Sequence, residues 1–350
     1  MPACLLLVSP GANRVYGAEA PRLAAAELAL TAPWALDVRP ERLAGVDYVA
    51  FGGSAPLGPD ERADLARQSC AGGLFEVVGA PDEAAASGTT APDVLLRPCE
   101  LPDVYRLPDD LVTIPKYQGK TNERFTHLLV HLTLAAAGSA SADATVATAR
   151  RPSVLDPLAG RGTTLLTAWR FGCDACGVEA DEAAFDALGA YVTTYLRRTR
   201  THHTAATTPV RREGRRVGRR YDACVAPDDL RLTVFTGDTR DSAALYGKRR
   251  FDAIVTDAPY GVVHGARSGA ARERSPALLL REALPVWAGQ LRSGGALGLA
   301  WNTYGLGRDE LLGLLTECGL VPRTGGAWDE LSHRVDSSIV RDVVVAVKPA

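Results

Sequence analysis

The stretch Val154, Leu155, Asp156, Pro157, Leu158, Ala159, Gly160, Arg161, Gly162, Thr163, Thr164 narrows the possible folds more than any other in the chain. A short apolar run ends in an acid, passes through a Pro turn and two close glycines, and opens into Leu165, Leu166 and Trp169 at helical spacing. This is a strand, a tight turn and a helix, the front half of a parallel βαβ unit. Glycines let a ligand approach the backbone, and the free N–H groups of a helix start are donors for a carboxylate or phosphate. The next strand, Cys176 to Val178, ends at Glu179, 19 residues after Gly160, about where an acid grips ribose hydroxyls in such units. The three-glycine dinucleotide pattern is missing, so a nucleoside-type ligand is expected over a nicotinamide or flavin.

The alternation continues downstream. The run Leu232 to Phe235 leads to Gly237 and Asp238, and Phe251 to Val255 leads to Thr256, Asp257, Ala258, Pro259, Tyr260 and Gly261. At the carboxyl end of a parallel strand, Asp257 and the carbonyl of Ala258 can accept the two N–H groups of a planar amine. Tyr260 offers a face on which its ring stacks, and His264 follows four residues later. A helix from Pro276, a strand at 296–301, a helix at 310–318 and an apolar strand at 339–347 complete a mostly parallel sheet with helices on both faces. Upstream, the polar loop Pro115, Lys116, Tyr117, Gln118, Gly119, Lys120, Thr121, Asn122 feeds a helix with Phe125, Leu128, Leu129 and Leu132 on one face, and is expected to fold over a bound cofactor.

The first 106 residues read as a small α+β domain, with strands at 3–8, 46–51, 74–78 and 94–96 and helices at 20–30 and 59–66. They contain no catalytic constellation, and either cap the larger domain or recognise substrate outside its active site. The second domain spans 107–350 and carries a basic insertion at 197–230. Nine arginines, His202 and His203 face a single acid, Glu213, between Arg197 and Arg220, so this segment carries +8 and the rest of the chain −10, against a total of −2. With almost no large apolar residues it is either a flexible insertion or a phosphate-tracking arm for nucleic acid. Only four of the 39 basic residues are lysines, which makes the pair Lys116 and Lys120 stand out.

Composition excludes several classes. Seven cysteines at scattered spacing fit neither a disulfide framework nor a four-ligand zinc site. No apolar run approaches the ~20 residues of a membrane span, and the opening apolar run is too short for a signal peptide, so a cytoplasmic protein without metal or membrane partner is expected.

With these motifs in order, the chain resembles the S-adenosylmethionine-dependent amino-methyltransferases of the D-P-P-Y type. It looks most like the tRNA guanine-N2 methyltransferases that pair this domain with an N-terminal RNA-binding domain. The resemblance covers roughly residues 110 to 347 and implies an α/β fold, a Rossmann-like methyltransferase sheet with an antiparallel last strand. It implies S-adenosylmethionine as cofactor and tRNA as partner. Gly160, Gly162 and Thr163 would hold the methionine moiety, Glu179 the ribose and Asp238 the adenine amine, with Asp156, Thr121 and Asn122 completing the cofactor set. Asp257, Ala258, Pro259 and Tyr260 would be catalytic, and Gly261, His264, Lys116, Tyr117 and Lys120 would contact substrate. Ala258 replaces the first proline of the motif, but the acceptor there is a carbonyl and survives. A DNA adenine-N6 or cytosine-N4 methyltransferase, a natural-product or peptide N-methyltransferase, and a non-catalytic RNA-binding protein on the same fold stay open as alternatives.

Overall fold

The chain divides into two units, one of residues up to Val104 together with Gly325–His333, the other of Tyr105–Thr324 and Arg334–Ala350. The computed structural model describes residues 4–9, 11, 13–53, 56–78, 95–117, 119–138, 150–212, 215–259 and 276–350. The expected boundary at 106/107 thus falls two residues earlier, and a late segment returns to the first unit. Its tether is Arg22, which donates to the carbonyl of Ser332 at 2.6 Å and to that of Glu330, while Tyr16 meets His333 edge-on at 5.7 Å.

The first unit contains β1 (Cys4–Val8), α1 (Arg14–Thr31), β2 (Leu36–Leu43), β3 (Val46–Gly52), α2 (Pro59–Ala66), β4 (Ala71–Val77) and β5 (Leu96–Cys99). Its sheet runs β2-β3-β1-β4-β5, every pair antiparallel. Two elements depart from expectation. Helix α1 starts at Arg14 because the Asn13 side chain accepts from the N–H groups of Val15 and Tyr16, which is N-capping. Strand β2 has no apolar alternation to announce it: Asp37, Arg39, Glu41 and Arg42 are polar and Pro40 lacks a donor, all compatible with a sheet edge. It is formed by the hairpin turn at Ala44 and Gly45, both at positive φ (49° and 84°), as a two-residue type I′ turn requires.

In chain order the second unit continues with α3 (Asp110–Thr113), α4 (Glu123–Ala136), β6 (Ser153–Asp156), α5 (Thr163–Arg170), β7 (Asp174–Glu179), α6 (Glu182–Arg198), β8 (His203–Arg212), β9 (Arg215–Val225), β10 (Leu230–Thr236), α7 (Ser242–Tyr246) and β11 (Phe251–Asp257). It ends with α8 (Pro276–Gln290), β12 (Leu291–Asn302), α9 (Arg308–Glu317), β13 (Val321–Pro322) and β15 (Val340–Val347), while the short β14 (His333–Arg334) falls on the division itself. The path through the large sheet is β13-β15-β12-β11-β6-β7-β10-β9-β8. Strands β10, β7, β6, β11 and β12 are parallel, and the last strand, β15, is antiparallel to both of its neighbours on this path.

Side chains alternate between two cores, as the period of a strand demands. In β7, Ala175 joins Trp169, Phe185, Leu188 and Val192 of α5 and α6, whereas Cys176 joins Trp287 of α8 and Leu315 of α9. Both faces of the central strands are therefore covered by helices, which is why β6 is buried at all four positions. Residues Phe125 to Leu134 of α4 are buried without interruption, and Gly298 of β12 makes room for that helix: a Cβ there would lie 1.8 Å from Thr133 Oγ1.

The basic stretch is not a strandless insertion. It forms the β8–β9 hairpin, paired antiparallel to β10. Tyr221, Ala223 and Val225 are buried at every second position of β9, and the β-branched Thr204, Thr207, Thr208 and Val210 suit β8 to an extended conformation. Among the described residues, no helix is long and apolar enough to cross a membrane.

Candidate active site

Chain order places the site. From β6 the chain proceeds outward through β7 to β10, then crosses back to β11 and continues to β12 on the other side. The carboxyl ends of β6 and β11 flank the point where the order reverses, the crevice in which open α/β sheets take ligands. Asp156 ends β6, Glu179 ends β7, Asp238 follows β10 and Asp257 ends β11, so four of the expected residues come to one edge of the sheet.

Asp156 is 2% exposed. Its Oδ1 accepts from the Leu158 N–H at 3.1 Å and from the Thr256 hydroxyl at 2.8 Å. Burial pushes its carboxyl up to about 7 against the opposing pull of hydrogen bonds from Leu158, Thr256 and Thr164, and the nearby charge of Glu179 adds to the rise. Thr256 is the residue before Asp257, so one hydrogen bond joins the two strand ends.

The glycines of the turn do different work. Gly160 has φ 53°, and nothing lies within 4 Å of where a Cβ would stand. Gly162 has φ 85° and caps α5, but a Cβ there would lie 2.6 Å from Leu188 Cδ1. Gly162 thus packs the turn closely on α6. Glu179 bridges two backbone donors, Gly160 N–H to Oε2 at 2.5 Å and Asp181 N–H to Oε1 at 2.7 Å. Its carboxylate therefore stands directly beside the open glycine, with lone pairs remaining on each oxygen.

Asp238 is more constrained than expected. Arg240 engages both of its oxygens, Nε on Oδ1 at 2.9 Å and Nη2 on Oδ2 at 2.5 Å, and the Arg240 N–H adds a third bond to Oδ1 at 2.8 Å. The side-chain bond from Arg240 holds the carboxyl below its usual range despite partial burial.

The loop ahead of α4 does reach the glycine turn. The Tyr117 hydroxyl lies 2.8 Å from Thr163 Oγ1, and the Arg161 guanidinium lies 4.9 Å from the Tyr117 ring centroid. Thr121 goes elsewhere, its hydroxyl donating to Asp257 Oδ2 at 2.8 Å. Asn122 is the N-cap of α4, its Oδ1 accepting from Arg124 N–H at 2.9 Å and Phe125 N–H at 3.2 Å. The Lys120 side chain is 9% exposed, and its ammonium donates to the Val112 carbonyl at 2.7 Å and to Glu123 at 2.6 Å, so it ties down the loop. Burial alone would raise the Glu123 carboxyl, but Lys120 holds it below its usual range. Lys116 keeps 77% of its side chain exposed.

Asp257 is bordered by a residue the sequence reading missed. Arg341 Nη2 lies 3.9 Å from Asp257 Oδ2, and the same guanidinium sits 4.3 Å from the Phe125 ring centroid. The available signal was a charged pair, Arg341 and Asp342, inside an otherwise apolar last strand. Both are buried at 4% exposure, where charges almost never sit without partners, and Asp342 accepts from Arg308 at 2.6 Å. Ala258 is 2% exposed and donates its N–H to the Ala300 carbonyl of β12 at 2.8 Å, while Pro259 is exposed. Tyr260, Gly261 and His264 lie outside the described residues. Among the described residues, no group of three or more His, Cys, Asp or Glu side chains gathers as a metal site would require.

No protein-family model matches the sequence, and no curated protein matches it. Solved structures do resemble it. TrmN from Thermus thermophilus is 14% identical with a TM-score of 0.44, the match covering 99% of this chain and 100% of that one. The Thermus thermophilus 16S rRNA N2 G1207 methyltransferase RsmC, solved with AdoMet and guanosine, is 18% identical over 89% of this chain and 58% of that one, with a TM-score of 0.37. A TehB-like SAM-dependent methyltransferase from Corynebacterium glutamicum is 16% identical over 58% of this chain and 83% of that one, at a TM-score of 0.35.

Proposed function

We propose that this protein is an S-adenosylmethionine-dependent N-methyltransferase acting on an exocyclic amino group, guanine N2 of tRNA. The observation that carries the reading is the hydrogen bond from Thr256 to Asp156. It couples the acceptor turn at Asp257 to the strand that leads into the open glycine loop, so the amine-gripping and cofactor-holding groups belong to one crevice.

The residues fit the cofactor in part. The open space at Gly160 and the Glu179 carboxylate beside it suit a nucleoside whose ribose hydroxyls donate to Glu179. Tyr117, bonded to Thr163, covers the turn. Asp238 would accept the adenine amine on a lone pair of Oδ2, alongside Arg240. S-adenosylmethionine supplies an electrophilic methyl group on a sulfonium.

An amine conjugated to a purine ring is a poor nucleophile because its lone pair is delocalised. The Asp257 carboxylate and the Ala258 carbonyl, by accepting its two N–H groups, favour a pyramidal nitrogen and stabilise the positive charge that develops there. Thr121 and Arg341 orient the carboxylate, and the Ala258 N–H bond to Ala300 anchors the backbone on the N-terminal side of the carbonyl that is needed. Tyr260 would supply the face on which the base stacks, and Gly261, His264 and Lys116 would contact substrate. The work is cytoplasmic and requires no metal.

The test is incubation of the protein with labelled S-adenosylmethionine and total tRNA, with genomic DNA and a metabolite extract as parallel acceptors. Label is expected in N2-methylguanosine from tRNA, and Asp257→Ala should abolish transfer while S-adenosylhomocysteine still binds. Folded protein that fails to bind S-adenosylhomocysteine in a calorimetric titration would overturn the reading.

A further inference from the structure

The free end of the β8–β9 hairpin concentrates charge in an unfavourable way. Its register sets Arg211 opposite Arg216, and like charges directly across a strand pair repel. Further along β9 the arginines are neutralised within the unit: Arg219 bonds Asp186 at 2.7 Å and Glu182 at 3.3 Å, and Arg220 bonds Asp222 at 2.6 Å. Arg211, Arg215 and Arg216 are exposed, and among the described residues none of them forms an ion pair.

Topology gives this end a direction. Strand β10 is parallel to β7, β6 and β11, and β9 is antiparallel to β10, with Arg220 opposite Phe235. The Arg219 N–H donates to Thr236 Oγ1 at 2.8 Å. Residues before 219 on β9, and those after Thr208 on β8, therefore run alongside and past the carboxyl end of β10, the edge of the sheet that carries Glu179 and Asp257. Four inter-strand steps separate β9 from β11, or roughly 19 Å at about 4.8 Å per step.

We propose that the hairpin tip is a phosphate clamp for the RNA that presents its base to Asp257, gripping the backbone to one side of the modified nucleotide. Guanidinium groups pair with phosphate bidentately, and a row of phosphates relieves the repulsion that the register builds in. The choice of RNA over DNA rests on the function proposed above; the clamp itself rests on the hairpin.

The experiment measures binding of total tRNA to the full chain, by fluorescence anisotropy across a KCl series and without any methyl transfer. The triple variant Arg211→Gln/Arg215→Gln/Arg216→Gln is expected to bind at least tenfold more weakly at low salt. Its slope of log K against log salt should be shallower by about 2, since each phosphate contact is worth roughly 0.7–0.9. The single variants Arg211→Gln and Arg216→Gln should each remove about one such contact, whereas Arg220→Gln, whose guanidinium is already bonded to Asp222, should leave the slope unchanged. Unchanged slopes in the tip variants, with melting temperature and S-adenosylhomocysteine affinity intact, overturn the clamp. An equal loss on duplex DNA, with DNA bound more tightly than tRNA, overturns its assignment to RNA. A reduced slope on tRNA in a protein that transfers no methyl group upholds the clamp and removes only the catalytic reading.

Discussion

The hydroxyl of Thr121 donates to Oδ2 of Asp257 at 2.8 Å, joining the loop ahead of α4 to the end of β11 across 136 residues of sequence. Within this loop Tyr117 meets Thr163 of the glycine turn, whereas Thr121 meets Asp257. Under the proposed function, Asp257 must meet a substrate amine at one angle and would gain from this fixed neighbour, because catalysis by alignment is lost with small misplacements.

Thr121→Val should therefore lower kcat by about tenfold, equivalent to ~1.4 kcal/mol of transition-state stabilisation, with little change in KM for S-adenosylmethionine. Thr121→Ser should retain most of the activity. Steady-state kinetics on tRNA at saturating cofactor check this, and a fall confined to KM for the cofactor would return Thr121 to the role first expected of it.

Asp156 predicts an unusual pH dependence of stability. Its carboxyl is pushed from 3.8 up to about 7, first by burial. Between those values the folded state retains a proton that the unfolded state has released, so the stability it confers is full below about 3.8 and is lost as pH rises through about 7. The full swing is on the order of 4 kcal/mol. Urea titrations of the ligand-free protein from pH 5 to 8 should show stability falling with pH, and Asp156→Asn, which keeps an acceptor for Leu158 and Thr256, should flatten that slope. Parallel curves for the two proteins would refute the assignment.

Gly298→Ala should destabilise the second unit by about 1–3 kcal/mol, the usual cost of overpacking, because the new methyl group would stand 1.8 Å from Thr133 Oγ1. Removing the obstacle with Thr133→Ala should recover part of that loss. A coupling energy above about 0.5 kcal/mol in the urea-denaturation double-mutant cycle is expected for residues in contact; additive effects would mean the strand moves instead of the side chain.

The parts legible from sequence were those written in local pattern. The apolar runs of β6, β7 and β11 ended in acids at Asp156, Glu179 and Asp257, and period and position sufficed to bring them to one sheet edge. What stayed hidden depended on partners distant in the chain. Lys120 reads as a conspicuous cation in a polar loop, and only the Val112 carbonyl and Glu123 reveal it as an internal tie. Asp238 reads as an open acceptor until Arg240 is seen on both of its oxygens. Ala258 reads only as a replacement for the first proline of the motif, yet its N–H, which a proline would lack, bonds Ala300 and ties the turn to β12. Strand β2 escaped because an edge strand needs no buried face to declare itself.

Strand β8 closes one side of the large sheet, and an uncovered edge is a template on which another chain can add a strand. Pro209 and the arginines at its far end make that addition unfavourable. The residues proposed to clamp RNA would thus also guard this edge, and a variant stripped of them is expected to expose an aggregation-prone strand.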